Sequence, residues 1–268
     1  MSGFVSAMRD ESIMSEEFSF YSVAKQQYDG RFNGLCNGGG LMVILYTLQA
    51  MLGYGDDSYA QPFQDISLDA FSSILPLSSI DEIVKYNPNL KRKYNHPYIE
   101  ADTYFPCAYH LTMLAYSHAW RTPANVQLMA NAINHINDIM PGDLSLGISS
   151  TFVLKQGSRY IGALWALAHP ITPFTNPPQP SFFRRLLTEI AMLGAGRRVG
   201  IIKKSADNLE EALAVDGVLR LNAKPTKYAY AYGEIGLEPN HRKKTAKDCD
   251  TTFWAVQFLS LVDGIDDK

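Results

Sequence analysis

Apolar residues recur along the chain at helical spacing, and two kinds of helix alternate. The first kind is amphipathic. In the segment opened by Thr122 and Pro123, the residues Val126, Met129, Ile133, Ile136 and Met140 share one face, with Asn125, Asn131, Asn134 and Asn137 among the polar positions. A threonine before a proline at the first helical position is a helix start. From Ser181, Phe182, Phe183, Leu186, Leu187 and Ile190 point inward, and Arg184, Arg185 and Glu189 outward. Shorter amphipathic helices are predicted from Ser79 and from Asp207, where Glu82 and Glu210 complete capping boxes.

The second kind is apolar all round. Leu41–Leu52, Cys107–Ala115, Ile161–Ala168 and Thr252–Val262 have little polar face, which predicts helices buried inside a layer of others. No strand pattern competes with this reading. Val199–Lys204 and Val218–Leu221 fit short strands or irregular loop equally well. The alternation predicts an all-α fold of about five or six helical hairpins, in units of very roughly 45–60 residues, closing into a double ring rather than an open solenoid. The helix near Ser15–Gln27 would supply the outer partner that closes the ring.

The chain of 268 residues is 46% hydrophobic and 19% charged, the balance of a globular protein, and residues 1–268 read as a single domain. A formal net charge of −3 gives no general attraction to nucleic acid or an anionic membrane. Lys91-Arg92-Lys93, Arg197-Arg198 with Lys203-Lys204, and Arg242-Lys243-Lys244 are short basic clusters, read as solvated loops. Cys36, Cys107 and Cys249 fit neither a disulfide framework nor a CxxC zinc site, and an odd count suits a reducing compartment. With no signal-peptide pattern and no apolar run of the ~18 residues that span a bilayer, the expected location is the cytoplasm, without an integral membrane segment. Oligomeric state is not legible.

Residues 248–262 carry the densest chemistry. Asp248 and Asp250 stand two apart, Thr251 and Thr252 follow, and an apolar run succeeds them. Asp102-Thr103-Tyr104-Phe105 through Leu111 aligns with Asp250-Thr251-Thr252-Phe253 through Leu259, the mark of an internal repeat. Both Asp102 and Asp250 are therefore expected at the N-termini of inner helices.

Three segments resemble the alpha-alpha toroids of the terpenoid cyclase and protein prenyltransferase superfamily. Gln27-Tyr28-Asp29-Gly30-Arg31-Phe32-Asn33-Gly34 looks like the repeat turn that precedes an inner helix, and Asp216-Gly217-Val218-Leu219-Arg220 echoes it. Asp248-Cys249-Asp250-Thr251-Thr252 is similar to the DxDD/DxDTT motif of class II terpene cyclases, whose middle aspartate protonates an alkene or epoxide. The resemblance implies cyclisation of a small isoprenoid, with Asp250 as acid and Asp248 as its partner. It implies no resident cofactor, and Mg2+ only if the substrate is a diphosphate. A second reading is a toroid that binds a peptide or carbohydrate, or serves as an accessory subunit, without catalysis.

An alkene-protonating acid must rest protonated, which requires burial and a neighbouring negative charge. A helix N-terminus favours the ionised form instead, so Asp250 as an N-cap would be structural. A cyclase cavity also needs aromatic walls that tolerate carbocations. Tyr104, Phe105, Tyr109, Tyr160, Trp165, Phe253 and Trp254, all on predicted inner helices, are the candidates, with ring-core packing as the alternative for most of them. The prenyltransferase branch uses zinc, but Asp102 and His110 would lie about 12 Å apart along one helix, too far to share an ion. Cys107 then reads as a small buried residue and His110 as a hydrogen-bonded core histidine. Gly38-Gly39-Gly40 lacks the lysine of a phosphate loop, Asp56-Asp57 lacks a third carboxylate, and the proline-rich stretch Pro170–Pro180 reads as a rigid loop.

Overall fold

The computed structural model describes residues 46–58, 60–85, 98–100, 103–139, 152–164, 171–178, 184–221 and 244–264. The described chain is predominantly helical, with one small sheet. It divides into two compact units, one from the described parts of Met1–Trp120 and Ser150–Leu167, the other from those of Arg121–Ser149 and Ala168–Lys268.

Among the described residues, the first unit begins with helical residues 46–49, which run into a π-helical stretch, Ala50–Tyr54. Helix α1 follows (Gln61–Ser72), then a 3-10 turn at Ile80–Glu82, strands β1 (Val84–Lys85) and β2 (Tyr98–Glu100), and helix α2 (Ala108–Ala115). A hairpin of β3 (Phe152–Gln156) and β4 (Arg159–Leu164) completes the unit. Helices α1 and α2 pack together, and Phe71, Ile74, Phe105, Leu111, Met113 and Leu114 are fully buried. Every residue of α2 from His110 to Ala115 is buried, as its unbroken apolar run predicts.

The sheet is where hydrophobic periodicity misleads. Ile161–Ala168 reads as a buried helix, yet through Leu164 it is strand β4. The cause is local: Gly157 adopts a φ of 59° in the two-residue turn Gly157-Ser158, and this folds Phe152–Gln156 back against Arg159–Leu164 as an antiparallel pair. Once the hairpin exists, β3 pairs in parallel with β2, which pairs antiparallel with β1. Lys155, opposite Glu100 in the ladder, binds its carboxylate at 3.3 Å and sits 5.0 Å from the Tyr98 ring centroid.

Asp56, read as half of a dyad lacking a third carboxylate, instead fastens a turn. Its Oδ1 accepts from the backbone N–H groups of His118 and, at 2.7 Å, Ala119, and its Oδ2 lies 3.1 Å from the His118 ring Nδ1. Burial pushes this carboxyl upward, but the two N–H groups and the His118 ring more than offset it, leaving it below its ordinary value of 3.8. A carboxyl depressed on folding stabilises above its unfolded pKa, and the contribution is lost as pH falls through the lowered value. The melting-temperature gap between wild type and Asp56→Asn should therefore be open at neutral pH and close below the ordinary carboxylate range; a gap independent of pH would count against this bond set.

Gly55, one residue earlier, has no room for a side chain. A Cβ there would lie 2.8 Å from the Tyr116 carbonyl oxygen and 2.9 Å from the Ser117 Cβ. Gly55→Ala should lower stability by about 1–3 kcal/mol, the usual cost of overpacking, read as a lower urea midpoint. An unchanged midpoint would mean the two turns are not in contact.

The second unit contains α3 (Pro123–Ile139), α4 (Arg184–Met192), a 3-10 turn at Gly196–Arg198, α5 (Gly200–Leu213) and α6 (Lys244–Asp263). Thr122 caps α3 as predicted, its Oγ1 accepting from Asn125 N–H at 3.2 Å, and Val126, Met129, Ile133 and Ile136 are buried. Helices α4, α5 and α6 pack on one another. Arg197 binds Asp207, Glu210 and Asp263, which ties the C-terminal end of α6 to α5.

Several expectations change in this unit. Asp207 and Glu210 form no capping box, because α5 starts at Gly200 and both acids lie inside it. That helix also takes in most of Val199–Lys204. Glu189, expected outward, is buried and accepts from Arg185 Nε at 2.7 Å. In the first unit, the Ser79–Glu82 capping box is present but spans only a 3-10 turn, and Leu48, Met51 and Leu52 are exposed. Met140, Phe182, Phe183, Gly38-Gly39-Gly40, Ser15–Gln27, Gln27–Gly34, Cys36, Lys91–Lys93 and Arg242-Lys243 lie outside the described residues.

Several backbone groups outside regular ladders in this unit are paired by asparagine and serine side chains of the helices. Asn137 on α3 accepts from Ile171 N–H at 2.8 Å and donates to its carbonyl at 3.4 Å. On α5, Ser205 accepts from Phe174 N–H at 3.0 Å, and Asn208 donates to the Phe174 carbonyl at 2.7 Å. Asn134 accepts from Gly200 N–H at 2.9 Å and donates to the Arg198 carbonyl at 3.0 Å. A buried backbone group must be paired, and at the Phe174 N–H, which is buried, Ser205 does this where no ladder exists. The predicted rigid loop is therefore held at Ile171 and Phe174 by two different helices.

Candidate functional site

Helix α6 carries the acidic motif, and the helix begins earlier than its sequence suggests. Its first residue is Lys244, so Asp250 lies well inside it and is not an N-cap. The capping signal at Asp250 is overridden because Thr245, Ala246, Lys247 and Asp248 continue the same helix ahead of it. Asp250 is buried, Asp248 is half-buried, and Cys249 between them is exposed. Within a helix, residues two apart are rotated by about 200°, so the two carboxylates leave the axis in nearly opposite directions. The pair is not a facing dyad.

The two threonines meet a loop. Thr252 Oγ1 accepts from Leu219 N–H at 2.9 Å, and Thr251 Oγ1 donates to the Leu219 carbonyl at 2.8 Å, with the Lys247 carbonyl 3.0 Å from the same hydroxyl. Adjacent residues on one helix thus hold both backbone groups of a single loop residue, whose side chain is fully buried. The loop is Asp216-Gly217-Val218-Leu219-Arg220, the segment that resembles a repeat turn. Asp216 organises it: one oxygen accepts from Val218 N–H at 3.2 Å, and the carboxylate pairs with Arg220 at 2.7 Å. Arg220, then Val218 N–H, hold the Asp216 carboxyl below its ordinary value. Asn176 adds a bond to the Arg220 carbonyl at 2.8 Å.

Trp254 is buried one turn beyond Asp250. Its ring centroid lies 5.7 Å from those of both Phe174 and Phe258, its indole N–H donates to Thr188 Oγ1 at 3.0 Å, and the Arg184 guanidinium stands 5.9 Å above it. Phe253 points the other way and is 53% exposed, as is Val256 at 55%. Thr252–Val262 is therefore not buried all round: it has a packed face and an outer one on which Phe253 and Val256 are exposed beside Gln257 and Ser260.

The remaining candidates belong to the first unit. Tyr104 donates its hydroxyl to the Ile66 carbonyl at 3.1 Å, Phe105 is fully buried, and Tyr109 packs beside Phe63 and Met113. Tyr160 stands opposite Lys155 in the β3–β4 hairpin. Trp165 and Asp102 lie outside the described residues. The proposed alignment of Asp102–Leu111 with Asp250–Leu259 fails structurally, because Tyr104 and Phe105 precede α2, whereas their counterparts Thr252 and Phe253 are helical.

Cys107 and His110 behave as predicted from burial. His110 Nδ1 accepts from Cys107 N–H at 3.2 Å, and burial pushes the imidazole down to about 3 and the thiol up to about 11. A neutral thiol beside a neutral imidazole is a poor nucleophile. Among the described residues no group of three or more His, Cys, Asp or Glu is placed to hold a metal ion, and no helix is long and apolar enough to cross a membrane.

The packing roles of Thr251, Thr252, Asn134, Asn137 and Asn208 are what sequence reasoning missed. No family model matches the chain, and neither a curated protein nor a solved structure matches it.

Proposed function

We propose that this chain is a non-catalytic binding or accessory protein of the alpha-alpha toroid type, which binds a peptide or carbohydrate partner rather than cyclising an isoprenoid. The observation that carries the reading is the use made of the motif. Thr251 and Thr252 are both spent on the Leu219 backbone, and Asp248 diverges from Asp250 along one helix. Asp248 leaves the helix in nearly the opposite direction from Asp250, so it is not placed to add the negative charge that would help burial keep Asp250 protonated. The toroid part of the proposal rests on the repeat-like turn at Asp216–Arg220 docking against the helix whose start it was expected to precede.

One observation favours the class II cyclase reading. Asp250 is only 8% exposed and lies one helical turn from the buried Trp254, which sets a carboxyl and an indole on the same face. On that reading Asp250 is the acid, Asp248 tunes it, and aromatic side chains such as Trp254 line the cavity.

Incubation of the full chain with farnesyl diphosphate, geranylgeranyl diphosphate and squalene, with and without Mg2+, separates the two. The binding reading predicts no cyclised product above a boiled control by gas chromatography. A cyclised product that disappears in a folded Asp250→Asn variant would overturn it in favour of the cyclase.

A further inference from the structure

We draw no further inference here: the strongest candidate, the exposed apolar stripe of Cys249, Phe253 and Val256 along the outer face of α6, carries none because nothing in the structure shows what covers it.

Discussion

Trp254→Ala should be the most damaging single substitution in α6, lowering stability by about 3–5 kcal/mol. The side chain is 4% exposed, and its removal leaves Phe174, Phe258 and Arg184 facing a void. It also removes the indole N–H that donates to the Thr188 hydroxyl at 3.0 Å, although that hydroxyl keeps its own bond to the Arg184 carbonyl at 2.9 Å. Trp254→Phe keeps most of the volume and loses the hydrogen bond, so it should cost markedly less. Chemical denaturation of the three proteins distinguishes packing from cavity-wall roles: a residue that only lined a substrate cavity would be replaced with little loss of stability. Phe253→Ala, one position away and exposed, should leave the unfolding midpoint nearly unchanged.

The second large effect belongs to the threonine pair. Thr251→Val combined with Thr252→Val preserves side-chain shape while leaving the Leu219 N–H and carbonyl without their partners. Each buried group left unpaired costs roughly 1–3 kcal/mol. Because the two bonds share one loop residue, the double variant should be less destabilised than the sum of the singles. Equilibrium urea unfolding of the two singles and the double gives that coupling directly. Strict additivity would indicate that the bonds act independently, and no effect at all would remove the loop contact from the account.

Helix α3 is legible because its packing follows a simple period. Thr122, Pro123 and the stripe from Val126 to Ile136 specify α3 without tertiary help, and the buried run ending at Ala115 specifies α2. The start of helix α6 is not legible in the same way, because Asp250 followed by two threonines has the composition of a cap, while the helix is already running through Lys244–Asp248. A capping residue acts only if the preceding backbone leaves the helix, and side-chain type alone does not fix that. The β3–β4 hairpin was legible in principle. Phe152-Val153-Leu154 and Tyr160-Ile161 flank a Gly-Ser turn, yet apolar runs of this length suit a buried helix equally well by period.

The candidate site was legible in composition but not in geometry. A spacing of two puts carboxylates side by side in an irregular turn and on opposite sides in a helix, so the meaning of Asp248 and Asp250 depends entirely on where α6 begins. The threonines match a catalytic signature in sequence, whereas their contact with Leu219 spans 32 and 33 residues, beyond any local pattern. Similarly, nothing local in Asn137 or Asn208 announces that each will hold the backbone of a segment 34 residues away.

Native-state amide exchange at Leu219 tests most directly whether the hydroxyls of this motif are its working groups. The N–H that donates to Thr252 Oγ1 should be protected in the wild type and should exchange on the order of tenfold faster or more in Thr252→Val, with the helical amides of α5 unaffected. A Leu219 amide that exchanges freely in the wild type, or equally slowly in both proteins, would contradict the account.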